Sequence, residues 1–152
     1  SGAGTSTAVR VFKHLFAAQN LRPVIVEGDA FHAYDREGNR QAIERARIRG
    51  ENFSLFGPAG NHLDRLEALL REYGDSGSGT LRHYLHTDQE AEAAGQPPGT
   101  FTPWEAIPPD TDVMLYEGLH GAVATDEVDV AQHVDRRRKV CVDHEDPPGG
   151  AL

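Results

Sequence analysis

Apolar positions along the 152-residue chain fall into short runs and stripes separated by polar stretches. Val9, Phe12, Leu15 and Phe16 recur at helical spacing through Asn20, with Lys13 and His14 on the wetter side. Val24, Ile25 and Val26 are contiguous and β-branched, the pattern of a buried strand. Gln41–Arg49 predicts a basic helix ended by Gly50, and Gly57-Pro58 breaks the chain after the Phe53–Phe56 patch. The clearest helix follows. Asn61 is its expected N-cap, Leu63, Leu66, Leu69, Leu70 and Tyr73 its apolar stripe, and Gly74 its end. Leu81–His86 alternates like a short strand, with Arg82, Tyr84 and His86 on one side. Gln89–Thr100 reads as a polar surface excursion, Val113–Tyr116 as a second buried strand, and Thr125–Val134 as one more helix.

Composition narrows the class. A chain of 152 residues with 38% hydrophobic content forms about one domain. A net charge of −9 argues against non-specific nucleic-acid binding, so an anionic ligand would need local arginines. The single cysteine, Cys141, excludes an internal disulfide and fits a reducing compartment. No apolar run approaches the roughly 20 residues of a membrane span, and the start lacks the pattern of a signal peptide. A soluble, cytoplasmic protein with no membrane partner is the expectation.

Chemistry-bearing residues cluster behind the first apolar run, where Glu27, Asp29, His32, Asp35 and Arg36 arrive together. In open α/β folds ligands bind beyond the carboxyl ends of the strands, which suits a site here; a solvated polar loop is the plain alternative. Glu117 closes the second run in the same way. The small residues Gly2, Ala3, Gly4, Thr5, Ser6 and Thr7 feed straight into a helix, a geometry that offers free N–H groups to an anion. They match the end of a G-x-x-x-x-G-K-[ST] phosphate loop with threonine in the lysine position, although a flexible tag-like start has the same composition. No strand precedes this turn, so the N-terminus looks cut. His83 and His86 with Asp88 invite a metal reading, but positions three apart on a strand face opposite sides.

Read in order, SGAGTST, VEGDAFHAYDR, FSLFGPAGN, LLREYGDSGSGTLRHYLH, PPGTFTPWE and YEGLHGAV make about residues 1–132 resemble bacterial members of the phosphoribulokinase/uridine kinase family. That resemblance implies a P-loop kinase α/β fold, a mostly parallel sheet flanked by helices, here truncated at both ends. It implies ATP-dependent phosphorylation of ribulose 5-phosphate to ribulose 1,5-bisphosphate, a step of Calvin-cycle carbon fixation, with ATP and Mg²⁺. Asp29 would be the general base, and Gly2, Ala3, Gly4, Thr5, Ser6 and Thr7 would cradle ATP. His32 and Arg36 would bind the sugar phosphate, Tyr84 and His86 lie in a segment tied to substrate or effector binding, and Ser6 and Glu117 would serve the metal. A homo-oligomer responsive to NADH and AMP is implied as well. A uridine or nucleoside kinase and a non-catalytic nucleotide-binding module are the rivals.

The resemblance fades at Asp135, where Arg136, Arg137, Arg138 and Lys139 lead into a Pro/Gly-rich end. A partial kinase domain over residues 1–134, its first strand missing, and an atypical tail over 135–152 are therefore expected. The tail's basic run reads as a solvated face rather than a nucleic-acid contact. By the same resemblance the cationic lid and a second aspartate are absent, so the 152 residues alone are expected to turn over little or nothing.

Overall fold

A computed structural model describes residues 5–134, with the side chains of Thr5 and Ser6 outside that description. Helix α1 spans Thr5–Ala18, so the glycine-rich start is already helical from Thr5. Gly2, Ala3, Gly4 and everything from Asp135 on lie outside the described residues. The predicted apolar stripe of α1 stays largely in water: Val11, Phe12 and Leu15 are 53%, 44% and 51% exposed. Phe12 and Phe16 stack on each other, with ring centroids 6.0 Å apart.

Strand β1, Pro23–Glu27, pairs in parallel with β4, Val113–Glu117, in a register that sets Val26 beside Tyr116 and Glu27 beside Glu117. The start of the pair is tied by Arg22. Its N–H donates to Asp112 Oδ2 at 2.7 Å, and its carbonyl accepts from the Asp112 N–H at 2.9 Å. Parallel strands need a crossover. Here the intervening chain supplies α2 (Arg36–Arg49), α3 (Leu63–Ser76), the two-residue β2 (Thr80–Leu81), α4 (Asp88–Ala94) and β3 (Glu105–Ala106), which pairs antiparallel with β2. Both apolar runs are strands as predicted. Burial differs: Val24 and Val26 are buried, whereas every residue of β4 is only half-buried, since β4 pairs with β1 alone among the described residues.

Helix α2 begins earlier than its apolar pattern indicated, because the Asp35 carboxylate accepts from the Gly38 N–H at 2.6 Å and caps it. Gly50 ends it as expected. All five apolar positions of α3 are buried, and Leu66, Leu69, Leu70 and Tyr73 pack with Val24, Val26, Phe31, Ile107 and Val130 in one cluster. Each such side chain removed from water contributes about 1.5–3 kcal/mol. Two expectations about its ends are corrected. His62, not Asn61, precedes the first turn, because the Asn61 side chain is engaged elsewhere. Gly74 does not stop the helix; Gly77 does, at φ 71°, a backbone state that only glycine adopts without strain.

Three further readings change. The predicted strand over Leu81–His86 is reduced to Thr80–Leu81, followed by an isolated bridge between Tyr84 and Phe101, because Arg82 turns inward to distant carbonyls. The polar segment after Gln89 is partly helical: Thr87 and Glu90 form a reciprocal capping box at the start of α4, and Gly95 caps its end. The expected helix over Thr125–Val134 shrinks to α5, Ala131–Val134, because the Thr125 hydroxyl accepts from the Glu127 and Val128 N–H groups and holds a turn instead. No helix among the described residues is long and apolar enough to cross a membrane.

Candidate active site

The carboxyl ends of β1 and β4 sit side by side, and the chain leaves β1 through a 3₁₀ turn, Gly28–Phe31. Room for that turn comes from glycine. A Cβ on Gly28 would stand 2.9 Å from the Gly118 Cα, and one on Gly118 would collide with the Tyr116 hydroxyl. The two strand ends can therefore close on each other only while both positions lack side chains. Ala30 and Phe31 are fully buried, which anchors the turn and directs Asp29 outward.

Asp29 is the centre of a small polar cluster. Its Oδ1 lies 3.3 Å from His32 Nε2 and its Oδ2 lies 3.6 Å from His86 Nε2. His32 is buried, whereas about half of the Asp29 side chain faces solvent (52%). Behind the imidazole, Nδ1 lies 2.8 Å from Asn61 Oδ1, while Asn61 Nδ2 donates to the carbonyls of Leu55 and Gly57 at 2.7 and 2.9 Å. Those two carbonyls orient the amide, so its oxygen accepts and His32 Nδ1 must carry the hydrogen. With Nδ1 protonated, Nε2 faces the carboxylate, and the contact favours a second proton there. The proton affinities agree. The bond to Asp29 raises the His32 pKa above 6.5 against the opposing effect of burial, and the Asn61 bond adds to the rise. The bond to His32 likewise lowers the Asp29 pKa below 3.8, with the charge of His86 helping.

The Tyr84 ring sits edge-on to His32 at 6.5 Å and to His86 at 4.8 Å. Asp29, His32, Tyr84 and His86 thus converge, although they span 58 positions of sequence from 29 to 86. Arg36 heads α2 just after the Ala33–Tyr34 bend and its cap Asp35. Its N–H donates to the Gly99 carbonyl at 2.9 Å and its guanidinium lies across Gly99, where a Cβ would meet Nε at 2.8 Å. Gly99 in turn donates to the Leu85 carbonyl at 2.7 Å, so Arg36 is fastened to the strip that carries Tyr84 and His86.

Glu117 ends β4 beside Glu27. A carboxylate oxygen there is the hard donor that Mg²⁺ takes, with phosphates and water completing its shell. Of the expected phosphate-binding residues, Thr7 lies exposed in the first turn of α1; Gly2, Ala3 and Gly4 and the side chains of Thr5 and Ser6 fall outside the described residues. Among the described residues no three His, Cys, Asp or Glu are grouped as a cation site, and His86 turns to Asp29.

Two residues of the cluster were not among the expected site residues. Asn61 has the side chain of a helix cap, and nothing in its local sequence distinguishes that use from the bond it makes to His32. Arg82 shares the alternation of Tyr84 and His86, which was the available signal.

The sequence model of the Phosphoribulokinase / Uridine kinase family matches residues 1–146. A plasmid-encoded phosphoribulokinase of Cupriavidus necator is 50% identical over 134 residues, covering 88% of this chain and 46% of the relative. A probable phosphoribulokinase of Escherichia coli (strain K12) is 52% identical over 135 residues, covering 89% and 47%. The solved phosphoribulokinase from Rhodobacter spheroides superposes with a TM-score of 0.78 at 37% identity, over 89% of this chain and 47% of that one. The chain spans about half the length of the curated relatives it matches.

Proposed function

We propose, for a chain that belongs to the Phosphoribulokinase / Uridine kinase family, that the whole protein transfers the γ-phosphoryl group of ATP to the primary hydroxyl of ribulose 5-phosphate. The observation that carries this reading is the Asp29 carboxylate, held between two imidazoles at the end of a parallel strand. Its pKa is low, so it is ionised at neutral pH and free to take a proton. Low basicity suits the step: Asp29 accepts the hydroxyl proton only as that oxygen bonds phosphorus and turns acidic. His32, whose proton affinity is raised, and Arg36 would meet the acceptor's phosphate, with Tyr84 and His86 beside the His32 ring. Gly2, Ala3, Gly4, Thr5, Ser6 and Thr7 would hold the ATP phosphates. Ser6 and Glu117 would hold Mg²⁺, which when bound neutralises charge building on the phosphate oxygens. A kinase domain over 1–134, a cytoplasmic homo-oligomer and a response to NADH and AMP belong to the same reading and rest on the resemblance alone.

The test uses the chain expressed within its complete reading frame. ATP-dependent conversion of ribulose 5-phosphate to the bisphosphate is expected, with uridine a poor acceptor. Asp29→Asn should lower kcat by about 10²–10⁴-fold while leaving substrate binding nearly unchanged. Arg36→Ala should raise KM chiefly for the phosphosugar. Efficient uridine phosphorylation, or a fully active Asp29→Asn enzyme, would overturn the reading.

A further inference from the structure

Arg82 has no part in the roles above, yet it is the most elaborately held cation in the described structure. Its Nε donates to the Ala30 carbonyl at 2.7 Å and its Nη2 to the His32 carbonyl at 2.6 Å. The guanidinium also lies over two aromatic rings, with Cζ 3.6 Å from the Phe101 centroid and 4.6 Å from that of Trp104. Among the described residues no carboxylate forms an ion pair with it, so carbonyl dipoles and ring faces stand in for a counter-ion. Partial burial and the neighbouring charge of Arg65 push the guanidinium pKa down to about 10.

The two carbonyls that Arg82 takes flank Phe31, whose own carbonyl accepts from the His62 N–H at 2.8 Å. Three successive carbonyls, of Ala30, Phe31 and His32, are thus pinned from outside the turn, two of them by one rigid fork. Asp29 lies just before this pinned segment and the His32 ring at its end. We propose that Arg82 is a positioning residue whose guanidinium fork fixes the curvature of the 28–32 turn and thereby keeps the Asp29 carboxylate in contact with the His32 imidazole. The catalytic consequence rests on the reading of Asp29 and His32 given under Proposed function; the geometric claim does not.

The sign of a titration separates this from a purely electrostatic role. The groups that face His32 are Asp29 and Asn61 on its two nitrogens, Tyr84 edge-on, His86 across Asp29, and Arg82 at its carbonyl. Asp29 raises the His32 pKa most strongly, while the Arg82 charge lowers it weakly. Removing only a like charge would therefore lift the His32 midpoint, whereas losing the Asp29 contact would drop it. The experiment is an NMR pH titration of the His32 ring in labelled protein carrying Arg82→Lys or Arg82→Met. Lysine keeps the charge but replaces the rigid fork with a single rotatable ammonium that does not pre-set the spacing of the two carbonyls, and its stem preserves much of the packing. The expected result is a midpoint that falls toward the ordinary 6.5 in both variants. An unmoved midpoint in Arg82→Lys, or a raised one in Arg82→Met, would overturn the proposal. In the complete reading frame, Arg82→Lys should lower kcat for ribulose 5-phosphate by about 10–100-fold, the scale of a misplaced catalytic group, with KM for ATP unchanged. A wild type that leaves ribulose 5-phosphate untouched would instead sink the function, and the titration would still decide the role of Arg82.

Discussion

Asn61 and His32 illustrate how much one neutral amide can decide. The Asn61 oxygen keeps the hydrogen on Nδ1, and the Asp29 contact raises the His32 pKa while lowering that of Asp29, so each group favours the charged form of the other. Replacing Asn61 with leucine would leave the Leu55 and Gly57 carbonyls and His32 Nδ1 without that partner. A loss of about 2–4 kcal/mol is expected in urea unfolding, the range for several buried polar groups left unpaired. The Asp29–His32 contact also predicts a pH window. Asp29's folded pKa lies below 3.8, so its stabilisation is present above that value and disappears as pH falls through the lower folded value. His32's folded pKa lies above 6.5, so its stabilisation is complete below 6.5 and disappears as pH rises through the raised value. The Tm difference between wild type and Asp29→Asn should therefore be largest between pH 3.8 and 6.5 and shrink on either side. Asp29 was legible from sequence because it follows an apolar run. The meeting of His86 with Asp29 was not legible, since no local rule links positions 57 residues apart and the resemblance tied His86 only to a binding segment.

Elements with a strong period were readable, while their ends were read unevenly: Gly50 does end α2, but Gly74 does not end α3. The α3 stripe matched residue for residue, because five large apolar side chains at helical spacing leave few other ways to bury them. Gly74 misled because glycine inside a helix costs only about 1 kcal/mol, which packing on both sides outweighs. The true stop is Gly77, whose positive φ gives a direct check: Gly77→Ala should destabilise by about 1 kcal/mol by thermal unfolding. Helix α4 carried a readable start, Thr87-Asp88-Gln89-Glu90, a capping box overlooked because the surrounding segment is polar and short. Thr87→Ala removes the hydroxyl that accepts the Glu90 N–H at 3.2 Å, and a cost of about 1 kcal/mol is expected. The Glu90 carboxylate also accepts from the His86 N–H at 2.8 Å, so the same cap steadies a residue that touches Asp29.

Across the whole molecule, order is graded. The β1–β4 pair and α3 share the buried cluster, whereas β2–β3 is two residues long with Glu105 and Ala106 exposed. Hydrogen exchange should separate them: amides of β1 and α3 opening only with global unfolding, those of β2 and β3 through local opening at much lower free energy. The solvent-facing side of α1 is the largest departure from the helical stripe at this scale, since a periodic pattern states which residues share a face but not what that face meets. Asn61 also crosses scales. One side chain fastens both the nearby 55–57 bend and, 29 positions away in sequence, the imidazole beside Asp29. Positions 32 and 61 are therefore not free to change one at a time. A substitution at either leaves the other's polar atoms stranded, so the double variant should be less damaging than the sum of its parts. A double-mutant cycle with His32→Leu and Asn61→Leu should show coupling of about 0.5–3 kcal/mol. In the terms of sequence divergence, the pair is a single two-letter word: descendants that keep this fold should be reached by replacing both letters together or neither.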